Sequence, residues 1–203
     1  MNIFERPPKS IAEIRSLWKG CDLCVFASLW KETGPCLPVE DIIGKEILVV
    51  GQWPGEKDME IGTPFSGKQG LIAISIMEKA GFQRDNLFFT NVLLCSCPTV
   101  PNKLILQNCR EQIDQTLSVL KPIIVIALGS HAAKRFGASG SMKNLRGKTV
   151  SYKSYKVSIC THPASIARAK DRAEQKKVET EVLSDLRQAK ILFDQTKNKI
   201  SRM

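Results

Sequence analysis

The sequence predicts an α/β fold: a single domain with a central, mainly parallel, four-stranded sheet flanked by helices. Two patterns carry that expectation. Short apolar runs at Ile47–Val50, Leu87–Thr90, Ile123–Leu128 and Lys156–Cys160 have strand length and no helical period. Between them lie segments with helical spacing, Gly67–Ala80, Lys103–Leu120 and Ser130–Phe136. Strands alternating with helices imply crossover connections, hence parallel pairing with both faces covered.

The elements follow in order. Ser10 with Glu13 three residues on is a capping box, so a first helix is expected over Ile11–Lys19, stopping at Gly20. Residues 25–45 read as irregular, with Gly34, Pro35 and Pro38. A further short strand near Thr149–Tyr152 is an option. The last forty residues are charged, with Val178, Val182, Leu186, Ala189 and Phe193 recurring every three or four positions. That stripe fits a C-terminal helix packed on the domain, with a partner-binding helix as the alternative. The expected division is a domain over 1–170 and a helix over 171–203.

Composition narrows the classes. The chain has 203 residues, enough for one domain with a substantial core. No apolar run approaches membrane length, and the start MNIFERPPKS lacks a basic stretch followed by an apolar core. The expectation is a soluble cytoplasmic protein. Net charge is +10, and its placement is informative: Gln115 to Lys170 holds ten Lys or Arg and no acid. Such a face suits a phosphate backbone, or is a plain solubilising surface. Seven cysteines in this setting argue for metal, catalysis or burial over disulfides. Cys21 and Cys24 form a C-x-x-C that alone fits zinc, redox or iron.

The densest signal is residues 51–70, GQWPGEKDMEIGTPFSGKQG. They follow an apolar strand and lead into a helix, where α/β proteins place ligand sites. Their glycines allow close approach of a ligand to the backbone. An ordinary strand–loop–helix connection is the bland alternative. Three further segments fall after strand ends in order: Thr90-Asn91-Val92 with Cys95, Leu128-Gly129, and Thr161-His162-Pro163-Ala164 with Arg168.

Together these resemble the ordered motifs of the uracil-DNA glycosylase superfamily, especially its iron–sulfur group, family 4. There the first motif runs roughly G-E-A-P-G, an acidic stretch, then G-x-P-F-x-G-x-x-G. The resemblance implies a DNA partner and an enzyme that flips a base and hydrolyses its glycosidic bond. It implies that Phe65 stacks on the base, Asn91 reads its Watson–Crick edge and His162 bonds the oxygen that gains charge. Gly51, Trp53 and Gly55 would line the base, and Pro163, Ser165, Ile166 and Arg168 would grip DNA, Ile166 as a wedge in the duplex. Phe65 as core and Asn91 as a turn cap are the plain alternatives. The resemblance also gives Cys21, Cys24, Cys95 and Cys109 as ligands of a structural 4Fe–4S cluster, with Cys97 a rival for the third place. No other cofactor and a monomeric state are expected.

The first motif departs from the family. Where family 4 has Glu and the classical enzymes Asp, this chain has Gln52 and Trp53. Neither is a carboxylate base, so Asp58, Glu56 or Glu60 would have to supply charge, or Gln52 would orient a water. Gly55 replaces a Tyr that rejects 5-substituted pyrimidines, which opens the C5 side. These departures resemble superfamily members that act on glucosylated hydroxymethylcytosine in antiphage defence. Uracil repair, a catalytically dead DNA-binding module and a zinc-binding nucleic-acid adaptor are the competing readings.

Overall fold

The computed structural model describes residues 7–202; the reading of the first six residues lies outside them. The helices are α1 (Ile11–Trp18), α2 (Val25–Leu29), α3 (Glu56–Ile61), α4 (Lys68–Lys79), α5 (Lys103–Asn108), α6 (Arg110–Leu120), α7 (Gly129–Arg135), α8 (Met142–Leu145), α9 (Ala164–Ala167) and α10 (Arg172–Ile200). The strands are β1 (Ile47–Gly51), β2 (Leu87–Asn91), β3 (Ile124–Leu128), β4 (Thr149–Tyr152) and β5 (Tyr155–Cys160). None of these helices is long and apolar enough to cross a membrane.

The sheet has five strands, not four, in the order β2-β1-β3-β5-β4. The first four in that order pair in parallel, and β4 adds an antiparallel edge through Thr149–Ser158 and Val150–Val157. β4 is the short strand that the sequence offers as an option near Thr149–Tyr152; a count of apolar runs omits it because it alternates between exposed and half-buried positions. β1, β2 and β3 are buried at every position, as strands covered on both faces must be.

Alternate strand residues feed two cores. Leu48, Val50, Phe88, Val125 and Ala127 pack with Ile11, Ile14 and Trp18 of α1 and Ile113 and Leu117 of α6. Ile47, Val49, Leu87, Phe89 and Ile126 pack with Ile76 and Met77 of α4 and with Val182, Leu186, Ala189 and Phe193 of α10. The C-terminal stripe therefore closes one face of the sheet, burying enough surface at each large side chain to contribute about 1.5–3 kcal/mol.

Two sequence expectations are refined. The helix expected over Lys103–Leu120 is two helices meeting at Cys109. Residues 25–45 are a strap rather than free loop: Cys36 N–H donates to Leu94 O (2.7 Å), Trp30 Nε1 to Ser96 O (3.3 Å), and Arg15 reaches Pro38 O (2.7 Å).

Candidate active site

Parallel pairing in register places Gly51 beside Asn91 at the ends of β1 and β2. Leu128 is likewise opposite Cys160, so Gly129 and His162 follow at the ends of β3 and β5. The four sequence motifs thus meet on one sheet edge. There Gln52, Trp53, Gly55, Asp58, Phe65, Asn91, His162 and Arg168 line a single cavity of about 440 Å³.

Close approach explains two glycines. A Cβ on Gly51 would overlap Asn91 Oδ1 and come within 2.8 Å of Phe65 Cζ. Gly129 has φ +84, and a Cβ there would sit 3.1 Å from Gln52 Nε2 and 3.2 Å from His162 Cβ. Gln52 and His162 therefore flank one glycine, and both line the cavity. Asn91 is 4% exposed; its carbonyl accepts from Gln112 Nε2 (2.7 Å), and Gln112 Oε1 accepts from Thr90 Oγ1 (3.4 Å).

Phe65 adopts φ 60, a left-handed conformation rare for an aromatic residue. Its ring packs on Phe89 at 4.8 Å, and its backbone lies so close to Gly70 that a Cβ there would overlap it. Strain of this kind, about 1–3 kcal/mol, gathers at functional sites.

His162 Nδ1 accepts the Ala164 N–H (3.1 Å). Burial, assisted by the Arg168 charge, pushes the imidazole pKa from 6.5 down to about 4. The ring is neutral at physiological pH, and with Nδ1 an acceptor its single proton sits on Nε2. His131, the other histidine, stands edge-on to Trp53 at 5.1 Å.

Two expectations need correction. Asp58 is a clamp, not an available base: Oδ2 accepts from Gly55 N–H (3.0 Å), and Oδ1 accepts from Gly67 N–H (2.6 Å) and Ser66 Oγ (3.3 Å). Both carboxylate oxygens are spent tying the two ends of the first motif together. Ile166 is no exposed wedge: it is 8% exposed and belongs to the second core. Pro163 is buried and Ser165 half-buried, which leaves Arg168 as the exposed member of that set.

The basic run is also less free than its count. Arg135 pairs with Asp114 (3.0 Å), Arg146 with Asp185 (2.9 Å) and Lys153 with Asp114 (3.0 Å). Those three stabilise the fold internally.

Five thiols form a group near the end of α1. Cys95 is pushed up by burial and then by Cys109, Cys21, Cys24 and Cys97. Cys97 and Cys109 are both pushed up to about 12, first by burial; Cys109 and Cys24 add to this at Cys97, and Cys21 and Cys24 at Cys109. Cys36 and Cys160 have no cysteine among their neighbours of influence. Among the described residues no three acidic, His or Cys groups converge closely enough for a single metal ion.

Against known proteins, the family model of the uracil DNA glycosylase superfamily matches residues 38–187. The chain belongs to that superfamily. The matched span contains all four motifs and much of α10, and the family is one of DNA glycosylases, hydrolases of N-glycosidic bonds. A type-4 uracil-DNA glycosylase of Sulfurisphaera tokodaii is 32% identical over 148 residues, covering 69% of this chain and 67% of that one. One from Pyrobaculum aerophilum is 28% identical over 169 residues, covering 78% and 85%. One from Thermotoga maritima is 27% identical over 156 residues, covering 74% and 79%.

Sequence reasoning missed Gln112 and Ser96. Gln112 lies on α6 outside every motif, and only packing brings it to Asn91. Ser96 lines the cavity from between two cysteines, so the thiol-bearing loop forms part of its wall.

Proposed function

We propose that the protein is a monofunctional uracil-DNA glycosylase of the type-4 kind. It flips a pyrimidine nucleotide out of DNA and hydrolyses its glycosidic bond, leaving an abasic site. The carrying observation is the convergence of Gln52, Phe65, Asn91 and a neutral, Nε2-protonated His162 on one cavity.

Base cleavage passes through an oxocarbenium-like sugar while negative charge builds on the leaving base. Phe65 offers its ring to the extruded base, and the Asn91 amide reads the base edge. The His162 Nε2–H donates to the base oxygen that becomes negative, a donor placed before the charge appears. Gln52, beside His162 across Gly129, holds a water near C1′ without deprotonating it. Absence of a carboxylate base there lowers the rate by about a hundred- to ten-thousandfold. Arg168 takes a DNA phosphate at the mouth, and the monomer needs no second chain for this arrangement.

The thiol group fits an iron–sulfur cluster. Five cysteines gathered in one place are the soft donor set that iron binds, and a cluster would hold four of them as thiolates. Cys21, Cys24, Cys95 and Cys109 would hold a 4Fe–4S cluster, Cys97 standing beside them. Such a cluster supplies structural cross-linking between the residues after α1 and the loop before α6.

A second reading is favoured by one observation: a Cβ on Gly55 would meet nothing closer than Asp58 Oδ2 at 3.8 Å. With Gly55 beside C5 of the base, as the family correspondence has it, that space would admit a bulky base such as glucosylated hydroxymethylcytosine in phage DNA. Duplexes carrying uracil, hydroxymethylcytosine or its glucosylated form, scored for alkali-labile sites, decide between the two. Release of uracil alone supports repair, release of the modified base supports defence, and release of neither leaves a DNA-binding module.

A further inference from the structure

We infer that Asp185, on the C-terminal helix, is a positioning residue for His162: its carboxylate fixes the backbone turn from which the imidazole projects. This rests on the reading of His162 as the donor to the leaving base.

Asp185 is 2% exposed and sits on the buried side of α10, where Val182, Leu186 and Ala189 are apolar. Packing alone would be served by another apolar side chain, since a buried ion pair is at best a neutral replacement for one. Instead Oδ2 accepts both Thr161 N–H and Thr161 Oγ1 (2.9 Å each), immediately before His162. Arg146 completes the cage: its NH2 lies 2.9 Å from Asp185 Oδ1, its Nε 3.3 Å from Oδ2, and its NH2 also reaches Glu181 O (2.7 Å).

His162 is thus held from both sides. Asp185 anchors residue 161, while the His162 carbonyl accepts Ser165 N–H (2.9 Å) and Nδ1 accepts Ala164 N–H. Without the anchor on 161, the ring turns about its own backbone and Nε2 leaves its line to the base. Misplacement of about 1 Å is enough to cost a hundredfold in rate.

Asp185→Asn keeps the size but removes the charge and puts an NH2 where one oxygen stood, so either the Arg146 guanidinium or Thr161 faces a donor in place of an acceptor. Thr161→Val removes only the hydroxyl contact. Val182→Ala, on the same helix and away from Thr161, controls for lost stability. Single-turnover base release on the best substrate, DNA Kd, Tm and the pH profile are measured for each. Expected for Asp185→Asn is a rate lowered by about 10- to 100-fold with Kd unchanged, and a smaller loss for Thr161→Val. Its acid limb should move to higher pH, because a loosened loop lets water reach the imidazole. Arg168 faces the ring directly, and Glu56, Lys57, Asp58 and Lys68 line the same cavity; all are left in place. A limb moving to lower pH would instead report loss of a distant negative charge and overturn the inference. A wild-type rate in Asp185→Asn overturns it too, as does an equal rate loss in Val182→Ala at matched Tm. Full activity in His162→Ala would remove the reading beneath it, an outcome separable from the others.

Discussion

Gly51 and Asn91 are register partners at the ends of adjacent parallel strands, and the space of a side chain at 51 is filled by the Asn91 amide. Gly51→Ala therefore has to displace Asn91 or Phe65. It should lower base release at least tenfold, since a misplaced contact group costs about that much or more, while Tm falls modestly. Single-turnover kinetics with a melting curve check this.

His162→Ala and Asn91→Ala should each abolish base release with DNA binding nearly intact. In the proposed mechanism both act on the extruded base, whereas affinity comes mainly from phosphates. Phe65→Ala should weaken base capture by about 1–3 kcal/mol through lost stacking. Abasic-site assays paired with binding titrations separate the two effects.

The imidazole of His162 has its folded pKa near 4, below the ordinary 6.5. Base release should therefore persist below the ordinary histidine range and fall only as pH approaches about 4. Arg168→Ala removes a repelling charge, raises that pKa and shifts the acid limb upward. The sign for stability agrees: the unfolded chain takes up the proton first, so this histidine's contribution is present above pH 6.5 and lost as pH falls toward 4. A rate–pH profile corrected for enzyme-free base loss tests both.

Cys109→Ser should lose the iron chromophore and much soluble yield, because Cys109 joins α5 to α6 beside the other thiols. Cys36→Ser and Cys160→Ser should keep full iron. Metal analysis finding zinc, or full iron in the Cys109 variant, would sink the assignment.

On the reading that Gly55 stands beside C5 of the base, Gly55→Tyr would fill that space. It should spare uracil release and suppress release of a 5-substituted pyrimidine, measured on matched duplexes. Equal loss on both would show that the space beside Gly55 does not discriminate between bases.

Much of this was legible in the chain because the informative residues are local. Apolar runs mark the buried parallel strands, and Gln52, Asn91 and His162 each follow one, so their meeting on one edge follows from parallel pairing. What escaped depends on partners distant in sequence. Asp58 reads as a free acid until its two backbone N–H partners are seen. Ile166 reads as a loop residue until α9 is packed on the second core. Asp185, Gln112 and Ser96 belong to no motif, and only folding brings them to the site. The edge strand at Thr149–Tyr152 shows in the sequence only as an option, because its positions alternate between exposed and half-buried and carry no apolar run.

The left-handed backbone at Phe65 sets local strain against packing at one position. Asn or Gly would relax the chain there, yet either would take from the second core a ring that is 5% exposed and lies against Phe89. A library sorted by thermal tolerance and one sorted by base capture should therefore both retain an aromatic residue at 65, the first for its packing and the second for its place in the cavity wall.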